Sequence, residues 1–260
     1  MSQTQRPLAI VTGASSGIGL ELAKQCAEGG YDLLIVADEA AIESAASALR
    51  QHGAEVEAVQ ADLSTIEGVD TLLAAVRGRP VEALLANAGR GLGHAFLDQP
   101  FDEVRKIIDT NITGTIYLVQ KVGQEMRERN AGKILITGSI AGFAPGSFQA
   151  VYNASKAFLN SFSWAIRNEL KETKVTVTCL MPGATETEFF DRADMLDTKV
   201  GQAKKDDPAM VAKTGYDAMI RGDGDIVAGF KNKIMAAVSN VMPAAVSAQL
   251  HRGMSKPADE

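Results

Sequence analysis

The sequence predicts a single α/β domain: a doubly wound, parallel, seven-stranded sheet with helices on both faces. Three observations lead there. Short, mostly aliphatic runs recur from end to end, helix-period segments separate them, and no linker, internal repeat or low-complexity tract divides the 260 residues. Near-continuous aliphatic runs mark strands buried on both faces, as crossover helices require. The length lies near the upper size of a domain built round one core.

Taken in order, strands are expected at LAIVTG (8–13), DLLIVA (32–37), EVEAVQAD (55–62) and VEALLANAG (81–89). GKILITGS (132–139), VTVTCLMPG (175–183) and DIVAG (225–229) complete the series. GLELAKQCAEGG and AAIESAASALRQHG carry the helical period between them. After the fourth strand, a Gly-rich loop leads into DEVRKIIDTNITGTIYLVQKVGQEMRER, which reads as one unusually long helix. A polar stretch, ETEFFDRADMLDTKVGQAKKDD (186–207), is inserted between the last two strands. Ligands of such sheets bind beyond the carboxyl ends of the strands, so both insertions are expected to wall or cover a pocket. The expected division is one main domain over 1–230 and a helical extension over 231–260 packed on it. Within 232–254, Ile234, Met235, Val238, Val241 and Met242 recur at helical spacing, and Pro243 starts a second turn or helix. That tail is expected to pack on the domain or cover the substrate mouth, with a subunit contact as the alternative.

Composition removes several functions. Hydrophobic residues make up 46% and charged residues 22%, an ordinary globular balance. The net charge of −6, without a long block of one sign, argues against a nucleic-acid binder. MSQTQRP lacks a charged segment followed by an apolar run, so no signal peptide is expected. No stretch approaches the roughly 18 apolar residues of a membrane span. A soluble cytoplasmic protein is expected. Cys26 and Cys179 lie in apolar segments and read as buried, inert thiols. His52, His94 and His251 lack ligand spacing, so no metal is expected.

Two motifs carry chemistry. The first strand runs into TGASSGIG (12–19) and then a helix, placing Gly13, Gly17 and Gly19 where a diphosphate approaches the backbone. The strand before and helix after are the context such a turn needs. The second motif is VYNASKAFLNSF (151–162), in which Tyr152 and Lys156 lie one turn apart, about 40° round the helix. A phenol titrates near about 10 in water, and a neighbouring ammonium favours the phenolate. The pair therefore suits proton exchange with a carbonyl or alcohol oxygen.

TGASSGIG, Asp62-Leu63, the NAG of 87–89, Asn111, Ser139, YNASK (152–156) and PGATET (182–187) together resemble the short-chain dehydrogenase/reductase family. They fall in that family's order and spacing over roughly residues 7 to 230, in the pattern of its compact, single-domain, Rossmann-like branch. The resemblance implies that Tyr152 is the general acid/base, Lys156 also holds the nicotinamide ribose, and Ser139 orients the carbonyl. Asn111 is implied to occupy a local helix distortion and to support a water-linked proton relay through the lysine. Cofactor contacts are implied for the turn residues Gly13, Ser15, Ser16, Gly17, Ile18 and Gly19, for Asp62 with Leu63 at the adenine, and for Asn87, Ala88 and Gly89. Pro182, Gly183, Thr185 and Thr187 are implied at the nicotinamide and diphosphate. The resemblance also favours a homodimer or homotetramer, built on the helices at 102–129 and 151–172.

Cofactor choice is read at the end of the second strand. An acid there hydrogen-bonds a ribose 2′-hydroxyl, whereas a base accommodates a 2′-phosphate. The strand ends in Asp38-Glu39, and Ser16 stands where a base often lies in the glycine turn. NAD is therefore expected, with NADP admitted if Arg50 or another distant base reaches the phosphate.

The pocket is expected to draw on 90–96, 140–149 and 189–196. Leu92, Phe96, Phe143, Phe148, Phe189, Phe190 and Met195 would supply an apolar lining, with His94 and Gln149 as polar contacts. The expected function is NAD(P)-dependent hydride transfer on an apolar ketone or secondary alcohol. The alternatives are a 3-oxoacyl-thioester reductase, for which Arg90 is the one evident nearby base, and a non-catalytic dinucleotide sensor or scaffold. Tyr152 and Lys156 argue against the sensor.

Overall fold

The computed structural model describes residues 6–257. Most of the N-terminal MSQTQRP and the last three residues of the extension lie outside the described residues. The chain alternates β1 (Leu8–Thr12), α1 (Gly17–Glu28), β2 (Asp32–Ala37), α2 (Ala41–Arg50), β3 (Val56–Gln60), α3 (Ile66–Ala75) and β4 (Val81–Ala86). Next come α4 (Phe101–Ile108), a π-helical segment (Asp109–Gly114), α5 (Thr115–Arg129), β5 (Gly132–Thr137), α6 (Ala150–Glu169) and β6 (Val175–Met181). Short helices α7 (Phe189–Arg192) and α8 (Lys199–Gln202) precede α9 (Pro208–Arg221), β7 (Asp225–Val227), α10 (Phe230–Val241) and α11 (Ala244–Ser255).

The strands form one seven-stranded parallel sheet in the order β3-β2-β1-β4-β5-β6-β7. The doubly wound architecture expected from the sequence is the one observed. Successive residues of β1 explain its unbroken hydrophobicity: Ala9 and Val11 enter the core under α1 and α9, while Leu8 and Ile10 enter the opposite core with α3 and α5. Each fully buried Leu or Ile there contributes roughly 1.5–3 kcal/mol, so a polar residue at any of these positions is excluded. Order reverses between β1 and β4, which opens the crevice where this class of sheet binds ligands.

The strands stop short of several expected ends. Asp62, the 87–89 NAG and Pro182-Gly183 all lie just past the last paired residue, because Asn, Gly and Pro do not continue a ladder. The long helix expected after the fourth strand runs without a gap from α4 through α5, and the distortion implied at Asn111 is a π-helical stretch within it, around Thr110, Asn111, Thr113 and Gly114, all poor helix formers.

Cys26 and Cys179 are free and buried, and burial pushes both thiols up, Cys179 to about 11. Among the described residues no helix is long and apolar enough to cross a membrane, and no His/Cys/Asp/Glu group could hold a metal ion.

Candidate active site

A cavity of about 930 Å³ lies over the carboxyl ends of the central strands. Of the residues expected to catalyse or bind cofactor, every one but Asn111 lines it. The glycine turn enters from β1. Gly13 has φ +64°, and a Cβ on Gly19 would lie 2.0 Å from the Gly13 carbonyl oxygen and 2.6 Å from Asn87 Nδ2. Only glycine fits a turn packed this closely. Asn87 locks it from the other side: its side-chain amide donates to the Thr12 carbonyl at 3.1 Å, and its Oδ1 accepts from Thr137 Oγ1 at 3.1 Å. At the start of α1, the Ser16 hydroxyl makes no capping bond and no acid occupies the first turn. The leading N–H groups are thus left open at the positive end of a helix, which suits a diphosphate. On these features a nicotinamide dinucleotide fits: Gly13 to Gly19 would hold its diphosphate, and Asp38, Asp62 and Ala88 would surround its adenosine.

The proton-handling residues come from three elements. Ser139 follows β5; its hydroxyl accepts from Ala141 N at 3.1 Å and donates to the Pro182 carbonyl at 3.3 Å, and it lines the cavity together with Tyr152. Tyr152 and Lys156 project from α6, and Lys156 Nζ lies 5.9 Å from the Tyr152 ring centroid. Lys156 is buried and donates to the Thr137 carbonyl at 2.8 Å. Asn111 is fully buried in the π-helical segment behind the cavity. Its Oδ1 accepts from Arg90 N at 2.7 Å, and its Nδ2 donates to Arg90 O and Ser155 Oγ, both at 2.9 Å. A Cβ on Gly89 would sit 3.3 Å from Lys156 Nζ and 3.4 Å from Asn111 Oδ1. The glycine leaves those two groups facing one gap.

Electrostatics differ from the sequence expectation in one respect. Burial dominates, pushing the Tyr152 phenol up to about 12 while the Ser139 hydrogen bond pulls it back. Burial also pushes Lys156 down to about 8. The expected lowering of the phenol by its lysine neighbour is not the controlling influence, because the cavity wall strips water from both groups.

The adenosine end holds a second difference. Asp38 and Glu39 are not uncompensated. The Arg90 guanidinium donates to Asp38, and Arg192 donates to both Glu39 oxygens at 2.9 and 3.0 Å and to Glu188. Ser15 donates to Glu39 and Ser16 to Glu188. Arg50 is committed elsewhere, to the Val56 carbonyl at 2.7 Å. The bases arrive from the loop after β4 and from α7, both remote in sequence from the strand end where discrimination was read.

At the other end, Leu92, Gln149, Phe189 and Phe190 line the cavity as expected. Phe189 packs on Tyr152 with ring centroids 5.1 Å apart. Phe96, Phe143, Phe148, Met195 and His94 are not part of the lining. Phe96 is exposed. Phe143 borders a separate surface depression, Phe148 lies under Arg252, and Met195 is buried beneath Gln149 Nε2 at 2.9 Å. His94 pairs with Asp194 at 2.9 Å. Sequence reasoning missed Arg192, Lys199, Lys204, Lys231 and His251, all of which line the cavity. The signal for Lys199 and Lys204 was the insertion at 186–207 itself, whose basic residues read as ordinary solvent-facing charge; Lys231 lies at the head of the C-terminal extension.

Residues 7–195 match the family model for short chain dehydrogenase. The chain belongs to the short-chain dehydrogenase/reductase family. An uncharacterized oxidoreductase of Myxococcus xanthus is 30% identical over 253 residues, 94% of this chain and 95% of that protein. A very-long-chain 3-oxoacyl-CoA reductase of Laccaria bicolor is 34% identical over 180 residues, 65% of this chain and 52% of that one. Among solved structures, a short-chain dehydrogenase from Sphingobium yanoikuyae in complex with NADPH is similar, with a TM-score of 0.78 at 30% identity over 85% of this chain and 87% of that one. The protein is thus an NAD(P)-dependent dehydrogenase/reductase.

Proposed function

We propose that this enzyme interconverts an apolar ketone and its secondary alcohol, with Tyr152 passing the proton. The observation that carries the reading is the convergence of the Tyr152 phenol, the Ser139 hydroxyl and Lys156 on a cavity shared with the glycine turn. A bound nicotinamide dinucleotide supplies or accepts the hydride. The chain's own residues do the rest. Ser139 and Tyr152 hold the reacting oxygen by hydrogen bonds, and Tyr152 donates its proton as negative charge develops there, or accepts one in the oxidative direction. Lys156, anchored by the Thr137 carbonyl, keeps positive charge beside the phenol; a value of about 8 leaves it mostly protonated at neutral pH. Phe189 closes the cavity over Tyr152 and keeps bulk water from the site. Asn111 fixes the loop at Arg90 and faces the gap beside Lys156, a place for the relaying water.

Asp38 at the end of β2 supports NAD, whereas Arg90 and Arg192 cancel the charge that would repel a 2′-phosphate, so NADP is also admitted. The half-exposed Phe158 (40%) and Trp164 (51%) on α6, with Phe101 (69%) on α4, support a homodimer or homotetramer through those helices. A cytoplasmic location is in keeping with the two free thiols.

The test is a panel of ketones and secondary alcohols, followed by absorbance of the reduced nicotinamide with each cofactor. Turnover of an apolar ketone is expected, and Tyr152→Phe should lower kcat by about 10²–10⁴-fold with cofactor binding retained. Full activity in that variant would overturn the proton role. A second reading, reduction of a 3-oxoacyl thioester, is favoured by the basic residues found in the cavity lining.

A further inference from the structure

The end of the cavity remote from the glycine turn has an unusual make-up. One wall is formed by α10 and α11, which bring Ile234, Met235, Val238, Leu250 and Met254 to its surface, each 41–54% exposed. Exposed aliphatic and Met side chains in a continuous strip cost solvation free energy unless something apolar covers them, and Met adapts to elongated or irregular shapes. Lys199 and Lys204, from α8 and the loop after it, and Lys231 at the start of α10 line the same cavity; α8 packs on α11, and the Asn232–Asp206 hydrogen bond joins the segments that carry Lys204 and Lys231.

These lysines are not ordinary members of the protein's charge pairs. Lys205 next to them is engaged: it donates to the Gly201 carbonyl, lies 3.7 Å from Glu186 and sits over the Phe190 ring. Lys199, Lys204 and Lys231 have no hydrogen bond or ion pair among the described residues. The nearby carboxylate in the lining, Asp206, is already held by Asn232 Nδ2 at 2.6 Å. A chain of net charge −6 therefore lines an apolar trough with three ammonium groups that pair with none of the described carboxylates, beside one carboxylate, Asp206. Such a lining attracts an anion, and the apolar floor selects what the anion is attached to.

We propose that the substrate is an amphipathic anion: an apolar, carbonyl-bearing body laid along α10 and α11, with a carboxylate or phosphate head held by Lys199, Lys204 and Lys231. The inference rests on the carbonyl-reducing reading above and narrows it. It also supplies the basic surface that a thioester of a phosphate-bearing carrier requires, at a place other than Arg90, which Asp38 occupies.

Binding and turnover are measured separately on the whole protein. In the first arm, calorimetry compares decanoate with 1-decanol, neither of which can be reduced at a ketone. Decanoate is expected to bind at least about tenfold more tightly, the scale of one or more charge-assisted hydrogen bonds, and the difference should shrink with added salt. The triple variant Lys199→Gln, Lys204→Gln, Lys231→Gln should bind both alike. All three side chains are exposed, so the fold should tolerate the change, and an unchanged thermal midpoint confirms it. In the second arm, oxo fatty acids, their methyl esters and a 3-oxoacyl coenzyme A thioester are compared by kcat/KM, distinguishing carboxylate from phosphate as the head. Preference for either anion over the neutral ester, lost in the triple variant while activity on the ester persists, supports the proposal. Equal binding of decanoate and decanol, or an anion preference that survives in the triple variant, overturns it. If no ketone is turned over, carbonyl reduction fails, while the binding arm still decides the anion site.

Discussion

The Arg90 guanidinium donates to the Asp38 carboxylate across the adenosine end of the cleft. The contact joins the loop after β4 to the end of β2, reaching across β1, the strand that lies between them in the sheet. With Arg192 on Glu39, it converts what reads in sequence as an acidic doublet into a balanced set of charges. An incoming cofactor would meet carboxylates able to accept from ribose hydroxyls and guanidiniums able to receive a phosphate.

Cofactor choice should therefore respond to both partners in opposite directions. Arg90→Ala is expected to raise the ratio of the NADPH Kd to the NADH Kd by about tenfold or more, the value of a lost charge-assisted hydrogen bond. Asp38→Asn should lower the same ratio by weakening NADH and relieving repulsion. Fluorescence titration of each variant with both reduced cofactors reads the ratio directly, and a ratio unmoved by Arg90→Ala would remove this residue from discrimination.

The sequence carried the architecture because strand burial is a local signal: DLLIVA is aliphatic throughout since both its faces are covered. The glycine turn and YNASK were legible for the same reason, each being a contiguous motif. Charges that meet only in three dimensions were not. Arg192 is 153 positions from Glu39, and Lys199 and Lys204 come from a segment whose local pattern is that of a solvent-facing loop. The distortion in the long helix was half-visible, in Thr110, Asn111 and Gly114, but its π-helical form accompanies the packing of Asn111 onto the Arg90 backbone.

Lys156 links the site to pH. Its folded value of about 8 lies below the ordinary lysine value of 10.5, so the unfolded chain binds more protons between these limits. Stability contributed by this residue therefore rises with pH through that window and is lowest below about pH 8. Relative to Lys156→Gln, the wild type should gain about 2 kcal/mol between pH 7.5 and 9.5. Paired urea melts of the two proteins at each pH provide the measurement; parallel curves would show that the buried amine does not titrate in this range. Subtracting the variant removes the opposing contributions of the Tyr152 and Cys179 groups, whose raised values act in the other direction.

Asn111 should prove structural as well as chemical. Asn111→Ala removes the acceptor for Arg90 N and the donor to Arg90 O, part-buried bonds made by a fully buried side chain. A loss of about 2–4 kcal/mol is expected from the unsatisfied backbone groups, together with lower kcat. Denaturant melts establish the stability term, and kinetics at a temperature where the variant is fully folded isolate the proton-relay term. Unchanged kcat under those conditions would confine Asn111 to positioning the loop.

Arg192 is expected to govern cofactor residence rather than stability. It stands on α7 with Phe189, so one four-residue helix touches Tyr152 at one end and Glu39 at the other. Its partners are partly solvent-exposed, and such ion pairs contribute little to folding, typically about 0–1 kcal/mol. Their effect on the cleft is larger, because they bridge the end of β2 to the inserted segment above the Ser15 and Ser16 turn. Releasing that bridge leaves α7 tethered by the apolar contacts of Phe189 and Phe190, the Ser16–Glu188 contact and the bonds of Gly93 and His94 to Ala193 and Asp194 after it, none of which reaches β2. Arg192→Gln should therefore raise the dissociation rate of the reduced cofactor several-fold, about the effect of 1 kcal/mol, while the thermal midpoint stays within about 2–4 °C. Stopped-flow displacement of the reduced cofactor measures the rate. If release of cofactor limits turnover, kcat rises in the same variant, since the tether opposes the opening that release requires. An unaltered dissociation rate would mean that the Glu39–Arg192–Glu188 cluster does not hold the segment closed.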